Sequence, residues 1–190
     1  MKPLRRWGCA PSRRALLLAA LPAFVLATTA HAQKPLKLPD VWYGVEVEDN
    51  VFTVQMPGIP DHRIVSDVSA RGTPFQLHSY SVEAGGFSYV AQSALYPGDV
   101  DANNPRIILQ AALDSRAHSL DGGKWSKVEW RTVGGATAVD SVGPVRGGSE
   151  LRELVLLKGR RFVSLAFLGP AGTAGGPQAE RFFKSLKLEP

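Results

Sequence analysis

Once Cys9 is passed, this chain contains no cysteine. Disulfides, thiolate metal sites and cysteine nucleophiles are therefore excluded from everything after it, and the core must hold without a covalent staple. Acid is missing from the start of the chain, where no Asp or Glu precedes Asp40. Lys2, Arg5, Arg6, Arg13 and Arg14 supply the whole formal net charge of +5, because the segment from Gln33 onward balances its 17 acids with as many bases. A neutral segment has no broad field to attract phosphates, so nucleic acid is not an expected partner. Pairs such as Arg160-Arg161 read as solvated turn charges. A long apolar run is lacking too. The longest, Ala15 to Thr29, is interrupted by Pro22 and falls short of the about 20 residues a spanning helix needs.

What the first 32 residues do contain is a basic start, that apolar run and the small-x-small triplet Ala30-His31-Ala32. Together these predict a secretory signal peptide over 1–32, cleaved after Ala32, and a periplasmic or secreted product. Ser12-Arg13-Arg14-Ala15-Leu16-Leu17 has the look of a twin-arginine signal, with the Sec route open. Cys9 precedes the apolar run, whereas a lipoprotein cysteine would follow it, so no lipid or other permanent membrane anchor is expected. Residues 33–50, with Lys34-Pro35 and Pro39-Asp40, read as an extended arm. Residues 51–190 suffice for one domain.

Within that domain the hydrophobic period is first 2. Phe52, Val54 and Met56 alternate until Pro57-Gly58-Ile59-Pro60 stops the run, and strands follow over 62–69, 75–83 and 87–95 with short turns between them. Such turns cannot hold a crossover helix, so these runs form an antiparallel meander. At Asn104-Pro105 the period changes to helical, with Asn104 as cap, Leu109, Leu113, Ala117 and Leu120 on the apolar side, and Gly122 as the stop. Strands resume over 124–133, 136–145, 151–157 and 161–168, a second antiparallel block. A glycine-rich loop then leads to a closing helix with Ala179, Phe182, Phe183 and Leu186 at i, i+3, i+4 and i+7. Both helices need a sheet face to cover, which predicts an α+β fold, an antiparallel sheet flanked by helices.

The order of Phe52-Thr53-Val54-Gln55-Met56-Pro57-Gly58-Ile59-Pro60, the middle helix, the turn at Val133-Gly134-Gly135, the strand from Arg161 to Phe167 and the closing Arg181-Phe182-Phe183-Lys184-Ser185-Leu186 resembles the PsbP-like superfamily. The resemblance covers nearly all of the chain after the signal peptide. It implies an α/β/α sandwich on an antiparallel sheet. It does not imply a particular chemistry, because that superfamily includes a photosystem II extrinsic subunit, a Ran-binding import factor and many exported bacterial proteins.

No Gly-x-Ser-x-Gly elbow, His-Glu-x-x-His pair or Gly-x-x-x-x-Gly-Lys loop is present, and Gly169-Pro170-Ala171-Gly172 lacks the following Lys. Three histidines follow the signal peptide. His118, four residues after Asp114, reads as half of an exposed helical pair. His62 reads as a turn histidine, and His78 as a partly buried one bonded to backbone. Asp99-Val100-Asp101-Ala102-Asn103 opens like a calcium loop but has Asn104 where the loop needs Gly and Gln110 where it needs a bidentate Glu. Trp125 and Trp130 fall on opposite faces of their strand, one facing the core and the other, beside Lys127, Glu129 and Arg131, a candidate contact. Trp42 and Tyr43 either project from the fold's edge to meet a partner or fold back as a cap on the core.

No catalytic, cofactor or metal residues emerge from these patterns, and no cofactor is implied. The expected function is a non-catalytic binding or accessory module that contacts a cell-envelope protein. The alternatives are a weak cation- or small-ligand-binding periplasmic protein and, third, an unrecognised hydrolase.

Overall fold

The computed structural model describes residues 41–47 and 51–189. The expected signal peptide, its expected cleavage site after Ala32 and most of the expected arm lie outside the described residues. Among the described residues no helix is long and apolar enough to cross a membrane.

The chain runs β1 (Tyr43–Glu46), β2 (Phe52–Met56), β3 (Asp61–Val68), β4 (Pro74–Ala84), β5 (Phe87–Leu95), α1 (Pro105–Ala117), a 3-10 turn (Asp121–Gly123), β6 (Lys127–Val133), β7 (Ala136–Val145), β8 (Ser149–Lys158), β9 (Arg161–Pro170), α2 (Pro177–Lys184) and β10 (Lys187–Leu188). Seven strands form one antiparallel sheet in the order β3-β4-β5-β9-β8-β7-β6. The two blocks expected from the sequence are joined through β5 and β9, from Ser88 opposite Leu168 to Leu95 opposite Arg161. A second antiparallel sheet has the order β1-β2-β10.

This arrangement corrects the expected helix-flanked α/β/α sandwich. The protein is mostly β, with two sheets and only two α-helices among the described residues. The physical reason is reach. From β3 to β6 the large sheet is roughly 29 Å wide at the usual strand spacing. The eight residues of α2 extend about 12 Å. A helix that short cannot cover the face, and the second sheet completes the job. Val45, Phe52, Val54 and Met56 of that small sheet region are buried together with Tyr89, Leu154, Leu165 and Phe167 of the large sheet and Phe182 of α2. We call this side the inner face. At its centre Tyr89 packs edge-on to Trp42, Phe167 and Phe182, and burial pushes its phenol up to about 12.

An ion network closes the same face. Arg152 on β8 holds both carboxylate oxygens of Asp140 on β7, at 3.0 and 2.9 Å, and reaches Glu180 of α2 at 2.7 Å. Arg131 on β6 joins Asp140 at 3.0 Å, and the Arg152 guanidinium lies 4.4 Å from the Phe183 ring centre. The bidentate geometry ties three strands to the closing helix.

On the opposite face α1 buries Leu109 and Leu113 against Val139, Val155 and Leu157. Asn104 occupies the cap position, but its side chain makes no capping bond, and Ile107 N–H bonds to the Asn104 carbonyl instead. The two tryptophans also depart from expectation. Because β6 begins only at Lys127, Trp125 is released from strand alternation and packs with Trp130 against the α1 cluster. Trp125 Nε1 donates to the Leu113 carbonyl at 3.1 Å, and Arg106 covers Trp130 at 4.9 Å. Gly143 makes this possible, since a Cβ there would stand 2.7 Å from Leu120 and 3.1 Å from the Trp125 ring.

Candidate functional site

Residues opposite one another across strands share a face of the sheet. Leu77 on β4 faces Ala94 on β5, Ala94 faces Phe162 on β9, and Phe162 faces Leu157, which lies under α1. The same face therefore continues past the helix toward β4 with no helix above it. Between the flank of α1 and this uncovered half of the sheet lies a groove of about 380 Å³, within the size range of small-ligand sites.

The groove has an aromatic wall. The rings of Phe75 and Tyr96 meet edge to face at 5.4 Å, and Tyr96 lies 5.6 Å from Phe162. Burial, and secondly the negative charge of Asp67, push the Tyr96 phenol up, so it remains a protonated donor near neutrality. Arg160 fixes this wall: its Nη1 donates to the Tyr96 carbonyl at 2.9 Å, and Tyr96 N–H donates back to the Arg160 carbonyl. Arg160 is an exposed turn residue, as the sequence suggested, and its side chain also braces the Tyr96 backbone beside the groove.

Opposite the aromatics stands Glu153 on β8, only 4% exposed. Its Oε1 accepts from Ser164 Oγ at 3.0 Å and from Arg116 Nη2 at 3.3 Å. Arg116 is in the last turn of α1, where a cation also suits the helix dipole, and its side chain is 44% exposed. A buried carboxylate is costly unless paired and hydrogen-bonded. The Ser164 and Arg116 bonds both fall on Oε1, so Oε2 has no hydrogen-bond partner among the described residues and is the acceptor left for a donor entering the groove. Sequence reasoning missed it, although a signal was present: Glu153 falls in phase with Leu151, Val155 and Leu157, one acid in an apolar row.

The structure distributes the sequence candidates elsewhere. His62 and His78 come together across β3 and β4, with Nε2 and Nδ1 3.3 Å apart, and His62 stacks on Tyr80 at 4.3 Å. They alternate with Leu77 and so lie on the inner face, away from the groove. Asp114 accepts from Gln110 Nε2 at 2.8 Å, and His118 stands at the exposed C-terminal cap of α1. In the calcium-like loop, Asp99 Oδ2 accepts from Ser69 Oγ and from Thr73 Oγ1 at 2.9 Å. The Ser69 bond, ahead of the Thr73 bond and Arg71, holds the Asp99 carboxyl below its usual range despite some desolvation. Asp101 Oδ1 accepts from the Asn103 N–H at 3.0 Å. The loop's acids thus brace the β3–β4 turn and their own backbone. Among the described residues no group of three or more His, Cys, Asp or Glu is placed to hold a metal. Trp42 folds onto the core, edge-on to Tyr89 at 5.6 Å and covered by Arg181 at 4.5 Å, while Tyr43 is exposed.

No family model matches the chain, and no curated protein matches it.

Proposed function

We propose that this protein is an exported binding module whose groove takes a small amphipathic ligand, one with a flat apolar body and a cationic or hydrogen-bond-donating group. The observation that carries this reading is Glu153, a buried carboxylate facing an aromatic wall in a groove that polar side chains such as Gln92 and Arg116 also line. Phe75, Leu77 and Phe162 offer surface for the flat body, and the carboxylate supplies orientation and selects against anions. Of the functions expected from the sequence, small-ligand binding gains most from the geometry. Contact with an envelope protein gains less, since Trp42, one of its two anchors, is used by the core.

Thermal denaturation in graded concentrations of aryl-ethylamines, aryl alcohols and aryl carboxylates tests the proposal. Saturable stabilisation by the amines or alcohols, growing with free ligand, is expected, with none from the carboxylates. Glu153→Gln and Phe75→Ala should each remove the shift while the unliganded protein still melts cooperatively. Stabilisation that survives both substitutions, or a shift confined to the carboxylates, overturns the reading.

A further inference from the structure

All eight residues of β3 are exposed, and Ile64, Val65 and Val68 are each at least half exposed. Among the described residues β3 pairs with β4 alone and forms one edge of the large sheet. Ser69 N–H donates to the Thr73 carbonyl at 2.8 Å, which extends the β3–β4 ladder by one bonded pair. Antiparallel pairs alternate between bonded and non-bonded. Counting back, Asp67, Val65 and Arg63 turn their backbone groups toward β4, and Val68, Ser66, Ile64 and His62 turn theirs outward.

We propose that this edge pairs with β3 of a second copy of the chain, antiparallel and centred on Val65, so that Arg63 of each copy meets Asp67 of the other. A two-fold axis perpendicular to a continuous sheet keeps like faces together, so the centre must be a residue opposite itself. Centring on Ile64 sets Asp61 against Asp67, centring on Arg63 sets arginine against arginine, and centring on Asp67 sets acid against acid. Centring on Ser66 leaves Arg63 opposite Ser69 and Asp67 opposite Val65. Centring on His62 sets Arg63 against Asp61 but overlaps only the first three residues of each strand. Of the registers that pair most of β3, only the Val65 one forms two opposite-charge pairs, and it places Val65 on Val65 between them. It also sets the outward backbone groups of Ile64 opposite those of Ser66, and His62 opposite Val68.

The charges are free for this. The Arg63 side chain has no hydrogen bond or ion pair among the described residues, and Asp67 Oδ1 accepts only from the adjacent Val68 N–H, at 2.8 Å. Pairing exchanges that local bond for the partner's Arg63 and releases the Val68 N–H to the new ladder. Charges on an edge strand ordinarily repel stray strands; these complement their own two-fold image. Asp67 also stands at the rim of the groove, so pairing neutralises one rim charge and leaves Glu153 untouched.

One strand pair buries little area, so the dimer should be weak and concentration-dependent. Sedimentation equilibrium of the protein as its own cells produce it is the test. Arg63→Asp and Asp67→Arg should each weaken dimerisation at least about tenfold, by setting like charges opposite. The double reversal should restore it to within about threefold. Ser66→Pro removes an outward N–H and leaves the β4 ladder intact, so it should abolish the dimer while the monomer's melting is retained. A protein that stays monomeric at millimolar concentration, a dimer indifferent to the single reversals, or a double reversal as weak as either single one overturns the proposal.

Discussion

The two faces of the large sheet are covered to different degrees. The inner face is closed over its central strands, β4 to β7, by a second sheet, by α2 and by the Arg152–Asp140–Glu180 network. The other face is closed only where α1 lies over β7 and β8, and its remainder is the wall of a groove. Closed packing gains apolar burial and dispersion everywhere it reaches, and it leaves nothing for a ligand. The open half forgoes part of that gain and keeps aromatic rings and one carboxylate accessible. Stability should therefore reside chiefly on one face and binding on the other.

That contrast makes a graded set of expectations. Phe182→Ala empties the centre of the inner face, where the ring is fully buried, and should cost about 3 to 5 kcal/mol, measured from the urea midpoint with an unchanged slope. Asp140→Asn leaves Arg131 and Arg152 without their shared carboxylate, in a site where the Arg152 and Asp140 side chains are 12% and 11% exposed. A loss of about 3 kcal/mol is expected, and a loss under about 1 kcal/mol would show that the network is peripheral. On the groove side, Phe75→Ala should cost only about 1 kcal/mol, in proportion to the area a half-buried ring removes from water. If it costs as much as Phe182→Ala, the two faces do not differ as described.

The smallest effect is on pH dependence. Hydrogen bonds from Arg152 first, then Lys184, hold the Glu180 carboxyl below its ordinary value of 4.5. The unfolded chain then takes up the proton first as pH falls, so this contribution is complete above about 4.5 and is lost as pH drops through the lower folded value. Comparing stability at pH 7 and pH 3, Glu180→Gln should narrow the difference. An unaltered difference would place the acid sensitivity elsewhere.

Most of the individual elements were legible in the sequence, but not the two-sheet architecture they build. The strands from Phe52 to Phe167 and both helices follow from hydrophobic period and turn residues, which are local. The second sheet was not legible. β10 is two residues long, and β1 shows a single buried residue within its four, so neither carries a pattern; both exist because β2 offers free edges, as when Lys187 pairs with Thr53. Trp125 escaped because alternation holds only inside a strand, and β6 starts two residues later. In the groove, Glu153 was visible as an acid in an apolar row, whereas Phe75, Tyr96 and Phe162 come from three separate segments and showed no common purpose.

By itself the sequence determined what depends on neighbours along the chain: the elements, their turns, the absence of a disulfide after Cys9, and the neutral charge from Gln33 onward. The tertiary structure decided what depends on distance through space. It set which face the second sheet covers, that α1 reaches only part of the other, and that Glu153 meets Ser164 and Arg116 at the end of a groove. The physical reason is that periodicity records whether a side chain faces inward, but not which partner it will find there, and a helix's length against a sheet's width settles what stays open.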